Sequence, residues 1–147
     1  MSPNSKLDSY QQGFPGHPVT ASPLAAWHRI VHDRDGSGIA ALLADDVVFH
    51  SPVVHTPQLG KRITTHYLMA AMQVFFNPTF HYVREVVGER DAVLEFETVV
   101  DGITVNGVDM VSWNEHGLIT SLKVMVRPLK AIQVIHERMA AMLQASR

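Results

Sequence analysis

Val105–Arg127 reads VNGVDMVSWNEHGLITSLKVMVR, two strands joined by a tight turn. Side chains alternate along a strand, so Val105, Gly107, Asp109, Val111 and Trp113 share one face. Val108, Met110 and Ser112 share the other. The turn is Asn114-Glu115-His116-Gly117, with Gly117 suited to the left-handed conformation that closes a hairpin. In the second strand, Leu118, Leu122, Val124 and Val126 are expected on one face, and Lys123 and Met125 on the other. A carboxylate among Val105, Val111 and Trp113 is costly to bury ionised and unpaired. Asp109 therefore has a partner, a raised pKa, or a wet cavity in front of it.

The chain has 147 residues, which suits one domain, and its 46% apolar content suffices for a core. With 12 basic and 14 acidic residues it carries no electrostatic footprint for nucleic acid, and it has no basic run for anionic membranes. The absence of Cys excludes disulfides, thiolate metal sites and Cys nucleophiles. No apolar run is long enough to span a bilayer, and the N-terminus lacks a signal-peptide layout. A cytoplasmic protein is the expectation.

Residues 1–21, rich in Ser, Pro, Gly and Gln, read as a tail or arm, with Phe14 and Val19 as possible pins. The domain is expected over residues 22–147. Ser22-Pro23 signals a helix start, with Leu24, Trp27, Ile30 and Val31 as its buried stripe. Asp35-Gly36 ends it, and a short second helix points Ile39, Leu42 and Leu43 inward. A strand over Val47–Ser51 stops at Pro52; Val53–Leu59 reads as loop. A third helix over Gly60–Phe76 turns Ile63, Tyr67, Leu68, Ala71, Met72 and Phe75 inward. The period then changes to two, over Phe80–Gly88 and Ala92–Val100. In the latter, Leu94, Phe96 and Thr98 oppose Val93, Glu95, Glu97 and Val99. Asp101-Gly102 makes a hairpin turn. A last helix starts at Pro128, with Leu129, Ile132, Ile135, Met139 and Met142 at helical spacing. This order predicts an α+β fold, a cone-shaped curved antiparallel sheet with helices on its concave face. Such a cone leaves a cavity between the layers.

LLADDVVFHSPVVHTPQLGK (residues 42–61) and VDMVSWNEHGLI (residues 108–119) resemble the nuclear-transport-factor-2-like superfamily. Its members include ketosteroid isomerases, SnoaL-like polyketide cyclases, limonene epoxide hydrolase and scytalone dehydratase. The resemblance covers roughly Leu24–Val126, and the ending KVMVRPLKAI is similar to SnoaL-like bacterial proteins. It implies a cystatin-like cone, a homodimer, and acid–base chemistry without a cofactor. Against the ketosteroid isomerases, the base position before the strand-ending Pro is Ser51. The oxyanion Tyr of the first helix falls on Trp27, and a supporting Tyr on Leu68. The second oxyanion acid is retained as Asp109. Ser at its ordinary pKa cannot replace the base.

The expectations for a site follow. Asp109 is an acid kept near neutrality by apolar walls, or else an Asp paired with a buried group. His55 could hang over the cavity mouth as a base or donor, or simply be solvated. Trp27, Val31, Phe49, Ser51 and Leu68 are expected walls from the first half of the chain. Leu94, Phe96, Gly107, Val111, Leu122 and Val126 are expected from the second. His28 and His32, four apart on a helix, could be metal ligands but lack a matched pair, so no metal and no cofactor is expected. His50 should face away from the cavity. Of His81 and Tyr82 only one can face in, and parity does not say which. Glu95 and Glu97 should point outward, to solvent or a second subunit. Val99, Val108, Met110 and Met125 form an apolar outer face suited to a dimer. The expected partner is a small apolar molecule. The leading function is an apolar-pocket isomerase, cyclase, dehydratase or hydrolase using Asp109; the alternative is a non-catalytic binding or accessory protein.

Overall fold

The computed structural model describes residues 21–145. Phe14 and Val19, the expected pins of the N-terminal arm, lie outside the described residues. Helix α1 (Leu24–Asp33) begins where the sequence places Ser22-Pro23. Ser22 Oγ accepts the Leu24 N–H at 3.2 Å, and the Pro23 carbonyl accepts the Trp27 N–H at 2.9 Å. The expected second helix is instead a pair of 3₁₀ turns, Gly36–Gly38 and Ala40–Leu42. Two glycines in so short a segment leave too few residues to nucleate an α-helix. Ile39 and Leu43 are still buried.

Strand β1 spans Leu43–His50 and so starts before the apolar run, with Asp45 and Asp46 exposed. A two-residue strand, β2 (Gln58–Leu59), lies in the expected loop. Then follow α2 (Lys61–Phe75), β3 (His81–Val87), β4 (Asp91–Val100), β5 (Ile103–Trp113), β6 (Ile119–Arg127) and α3 (Leu129–Ala145). The strands form one curved, unclosed sheet in the order β2-β1-β6-β5-β4-β3. Every pairing is antiparallel except β1 with β6, which is parallel. The α+β class expected from the order of elements is the one observed.

The alternation of β4 and β5 is as read. Leu94, Phe96 and Thr98 are buried, as are Val105, Gly107, Asp109, Val111 and Trp113. Asp101 and Gly102 both take positive φ (51° and 76°), as a tight hairpin turn requires. Gly117 (φ 77°) closes the β5–β6 turn, where Asn114 Oδ1 accepts the His116 and Leu118 N–H groups at 3.0 and 3.1 Å. The expected inward set of β6 needs one correction. Ser112 pairs with Ser121 but Trp113 pairs with Ile119, so a bulge flips the parity. Ile119 is therefore buried, and Leu118 is only half-buried.

Both long helices are rotated from the expected stripes. In α2, Ile63 is exposed, while Thr64, Ala70 and Val74 join Leu68, Met72 and Phe75 inside. In α3, Leu129 is 70% exposed and Met142 is exposed, while Ala131, Val134 and Ile135 are buried. Each helix is apolar around much of its circumference, so the facing side is set by what it packs against. Arg138 of α3 donates to Asp101 at the β4–β5 turn, at 2.7 Å from Nε, which fixes α3 against that end of the sheet.

The core has two clusters. One gathers Trp27, Phe49, Leu94, Val111, Trp113 and Leu122. The other gathers Phe75, Phe96, Val105, Ala131 and Ile135. Phe76, Tyr82 and Val124 pack against both. No helix among the described residues is long and apolar enough to cross a membrane.

On the outer face, register sets Val86 beside Val93, Val93 beside Met110, and Val108 beside Met125. Val86, Val93, Val99, Met110 and Met125 are all exposed. We propose that a second copy covers this face in a two-fold dimer, since a contiguous apolar sheet surface is a liability in water. Light scattering at micromolar concentration is expected to give twice the chain mass of 16.3 kDa. Met125→Glu is expected to return the monomer mass, and a monomeric wild type would sink the proposal.

Candidate functional site

A cavity of about 190 Å³ lies between the inner sheet face and the three helices. From α1 comes Trp27, and from β1 Phe49. The segment after β1 adds Ser51, Pro52, Val53 and Val54. From α2 and its end come Tyr67, Leu68, Met72, Phe75 and Phe76. Phe80, Phe96, Asp109 and Leu122 form the sheet side, and Ile135, His136 and Met139 close it from α3. Val54 and His136 are exposed and mark the mouth; Asp109, 7% exposed, marks the floor.

Three elements converge on that floor. Trp27 Nε1–H donates to the Tyr82 hydroxyl at 2.9 Å, and Tyr82 donates to Asp109 Oδ2 at 3.1 Å. An indole N–H can only donate, so the phenolic hydrogen is left for the carboxyl. The chain thus has one direction, from α1 through β3 to β5. Oδ2 alone is held, and no protein donor is found for Oδ1 among the described residues. Burial pushes the Asp109 carboxyl up to about 7, and the Tyr82 hydrogen bond opposes the rise. Burial, and secondarily the Asp109 charge, pushes the Tyr82 phenol up, so it stays a donor across the working pH range.

Alternation leaves open which of His81 and Tyr82 faces in, and the structure shows a register shift just after Tyr82. Tyr82 pairs with Phe96, but Arg84 pairs with Glu95. The bulge puts Tyr82 inward, and His81 is exposed. No alternation rule reveals such a bulge.

Among the expected walls, Trp27, Phe49, Ser51, Leu68, Phe96 and Leu122 line the cavity. Leu94 and Val111 do not, since both are buried in the cluster beneath Trp27. Val126 packs half-buried in the second cluster. Val31 faces a separate surface groove with His28 and His32. Gly107 makes room for protein rather than ligand: a Cβ there would lie 2.5 Å from the Phe96 ring and 2.7 Å from the Met125 carbonyl. His55 is exposed on the loop and does not line the cavity, although neighbouring Val54 does. Ser51 Oγ accepts the Val53 and Val54 N–H groups at 3.1 and 3.3 Å, so it shapes the loop.

Phe75 was expected only as an inward residue of its helix, and no expectation covers His136 or the orientation of Phe76 and Phe80. His136 follows Ile132 by four positions and precedes Met139 by three, and that helical spacing was the available signal. Glu95 and Glu97 point outward and meet partners within the chain: Arg84 at 3.3 Å and Asn106 at 3.0 Å for Glu95, His81 at 3.8 Å for Glu97. His28 Nε2 lies 2.6 Å from Glu85 and His32 beside Asp33. Among the described residues no group of three His, Cys, Asp or Glu is placed to hold a metal ion.

The curved α+β sheet and its helices thus enclose a cavity that has a buried carboxyl on its sheet side. A model of the SnoaL-like domain matches residues 24–122, and the chain belongs to that family. It is 35% identical to a steroid delta-isomerase from Pseudomonas aeruginosa, over 84% of this chain and 90% of that one, with a TM-score of 0.80. It is 32% identical to an uncharacterised bacterial protein with a cystatin-like fold from Silicibacter pomeroyi, over 90% and 88% of the two chains, with a TM-score of 0.76. SalBIII, an epoxide hydrolase/cyclase-like enzyme of pyran-ring formation in salinomycin, shares the fold at 17% identity, with a TM-score of 0.58 over 71% and 87%. No curated protein matches the chain.

Two predictions come from the hydrogen-bond chain. A carboxyl whose folded pKa exceeds its unfolded value costs stability as pH rises through that interval, here from about 4 to about 7. Asp109→Asn cannot titrate and still accepts from Tyr82. Its stability relative to wild type is expected to rise across that window and level off above it, by on the order of a few kcal/mol. Denaturant melts between pH 4 and 8 measure this; a mutant clearly less stable at neutral pH would mean that the ionised carboxylate is a structural anchor.

Tyr82→Phe removes the bond that lowers the Asp109 pKa and strands the Trp27 N–H. Carboxyl-carbon NMR titration is expected to show Asp109 titrating above its wild-type midpoint. The fold should lose about 1–3 kcal/mol. An unchanged midpoint would show that Tyr82 does not hold the carboxyl.

Proposed function

We propose that the domain binds one small, largely apolar molecule and acts on it by acid–base chemistry centred on Asp109. The observation that carries this reading is a carboxyl lining an apolar cavity, with one oxygen held by Tyr82 and the other without a protein donor among the described residues. With a pKa near neutrality, Asp109 is present in both protonation states at working pH, which suits proton donation and proton removal alike. A neutral carboxyl can also donate a hydrogen bond to a ligand carbonyl, hydroxyl or epoxide oxygen as charge develops there. The reaction class is an isomerisation, cyclisation, dehydration or hydrolysis that uses no cofactor.

The steroid delta-isomerase relative suggests a steroid ketone as substrate. Two features oppose that transfer. Ser51 stands where the isomerase base is expected, with its lone pairs turned to the Val53 and Val54 N–H groups. The cavity, at about 190 Å³, also falls below the roughly 300–1,000 Å³ typical of pockets for drug-sized ligands. One observation favours the alternative of a binding or accessory protein: among the described residues the titratable lining groups are Tyr67, Asp109 and His136, with no second carboxyl to work opposite Asp109.

Absorbance assays with a β,γ-unsaturated steroid ketone are expected to show no isomerisation. Turnover by wild type that collapses in Asp109→Asn would establish steroid chemistry instead. A substrate found by screening small epoxides, ketones and tertiary alcohols is expected to lose at least about 100-fold in kcat on Asp109→Asn. If the mutant binds such compounds normally and wild type turns none over, the binding-protein reading stands.

A further inference from the structure

A second space, of about 410 Å³, opens as a groove on the far side of the aromatic wall. It is bounded by His28, Val31 and His32 of α1, by Arg34 just after it, and by the segment from Phe76 to Tyr82. Among the described residues, Phe76 and Phe80 are the two that line both this groove and the cavity over Asp109. Phe76 and Phe80 are thus walls common to the groove and the cavity.

Those side chains are held in a defined way. The Phe80 ring stacks on Phe96 at 5.2 Å between centroids, with planes 25° apart. It meets Phe76 edge-on at 4.7 Å and Tyr82 edge-on at 5.2 Å. Phe96 has its place because Gly107 lacks a Cβ that would collide with its ring. The backbone beneath Phe80 is tied down as well. Its N–H donates to the Asn77 carbonyl at 3.0 Å, and Asn77 Nδ2 donates to the Val99 carbonyl at 2.9 Å. Thr79 Oγ1 accepts the Val99 N–H at 2.8 Å. The turn that carries Phe80 is thus stapled to β4, and the ring is positioned rather than loosely packed.

We propose that Phe80, backed by Phe76 and Phe96, is the size-determining residue of the site and restricts it to single-ring or compact two-ring carbonyl compounds. The inference rests on Asp109 as the polar end of the site and adds what sets the other end. An apolar cavity of about 150 Å³ accommodates benzene, so about 190 Å³ holds one ring with a few further atoms. A four-ring molecule held wholly inside would need the groove as well as the cavity, and the Phe80 ring lines both. With the partition removed, the joined space enters the range of pockets that take larger ligands.

The test is a ladder of ketones measured by calorimetry and by intrinsic tryptophan fluorescence: cyclohexanone, decalone and progesterone. Wild type is expected to bind decalone at least about tenfold more tightly than progesterone. Phe80→Ala is expected to erase most of that gap by gaining affinity for progesterone. Phe80→Leu, which keeps more of the packing, should shift it part of the way. Should either variant fail to fold, the wild-type ladder and the other variant still decide. Progesterone binding to wild type as tightly as decalone would overturn the size limit and leave the role of Asp109 standing. A ladder unchanged in both variants would remove Phe80 as its cause. If wild type binds no ketone of any size, the reading of Asp109 as a carbonyl-binding acid falls, and the partition falls with it.

Discussion

The hydrogen bond from Tyr82 to Asp109 joins the central strand β5 to the edge strand β3, and Trp27 extends it to α1. A carboxyl in this position must be either neutral or well solvated by donors, and a single phenol is not enough to keep it charged without cost. Its neighbours are consistent with a neutral acid: Leu94 lies directly opposite on β4 and Val124 on β6. The same bond sets the direction of the whole chain, because the indole can only donate. Among the described residues it leaves the other carboxyl oxygen without a protein donor. The local geometry of three elements thus converges on the protonation state of one group.

Around this polar point the cavity is shaped by aromatic packing. Phe75, Phe96, Phe80 and Tyr82 form a continuous run of ring contacts from α2 across the sheet. The run depends on Gly107, since any side chain there would displace Phe96. SnoaL-like domains share the cone, but what a cone does is decided by the side chains that furnish it. Similarity to a steroid isomerase at 35% identity carries the scaffold and the family. Here that furnishing includes Ser51, whose hydroxyl caps the following loop, and the β3 bulge that lets Tyr82 face inward.

The two faces of the sheet divide the polar residues by function. Inward, the one buried carboxyl is Asp109 among the described residues. Outward, Glu95 and Glu97 pair with Arg84, Asn106 and His81, where water screens them and the pairs contribute little to stability. Next to those pairs on the same face, Val93, Met110 and Met125 are exposed.

Several features were legible in the residues alone. Period-two alternation placed Asp109 with Val105, Val111 and Trp113 on a buried face, and Glu95 and Glu97 on the outside. Asp101-Gly102 and Gly117 marked turns because few residues tolerate positive φ. The order of helices and strands carried the α+β class, and the quoted motifs carried the family. What stayed hidden was of a different kind. The bulges in β3 and at Trp113–Ile119 change parity without any residue that announces them, so Tyr82 and Ile119 could not be placed. The buried sides of α2 and α3 depend on what each helix packs against, and sequence period leaves their rotation open when apolar residues surround the axis. The partner of Asp109 lies 27 residues away on another strand, and the ring that fills the space over Gly107 comes from β4. Local sequence reports which way a side chain points within its own element; which groups meet across elements is settled by packing, and that packing decided the environment of the carboxyl.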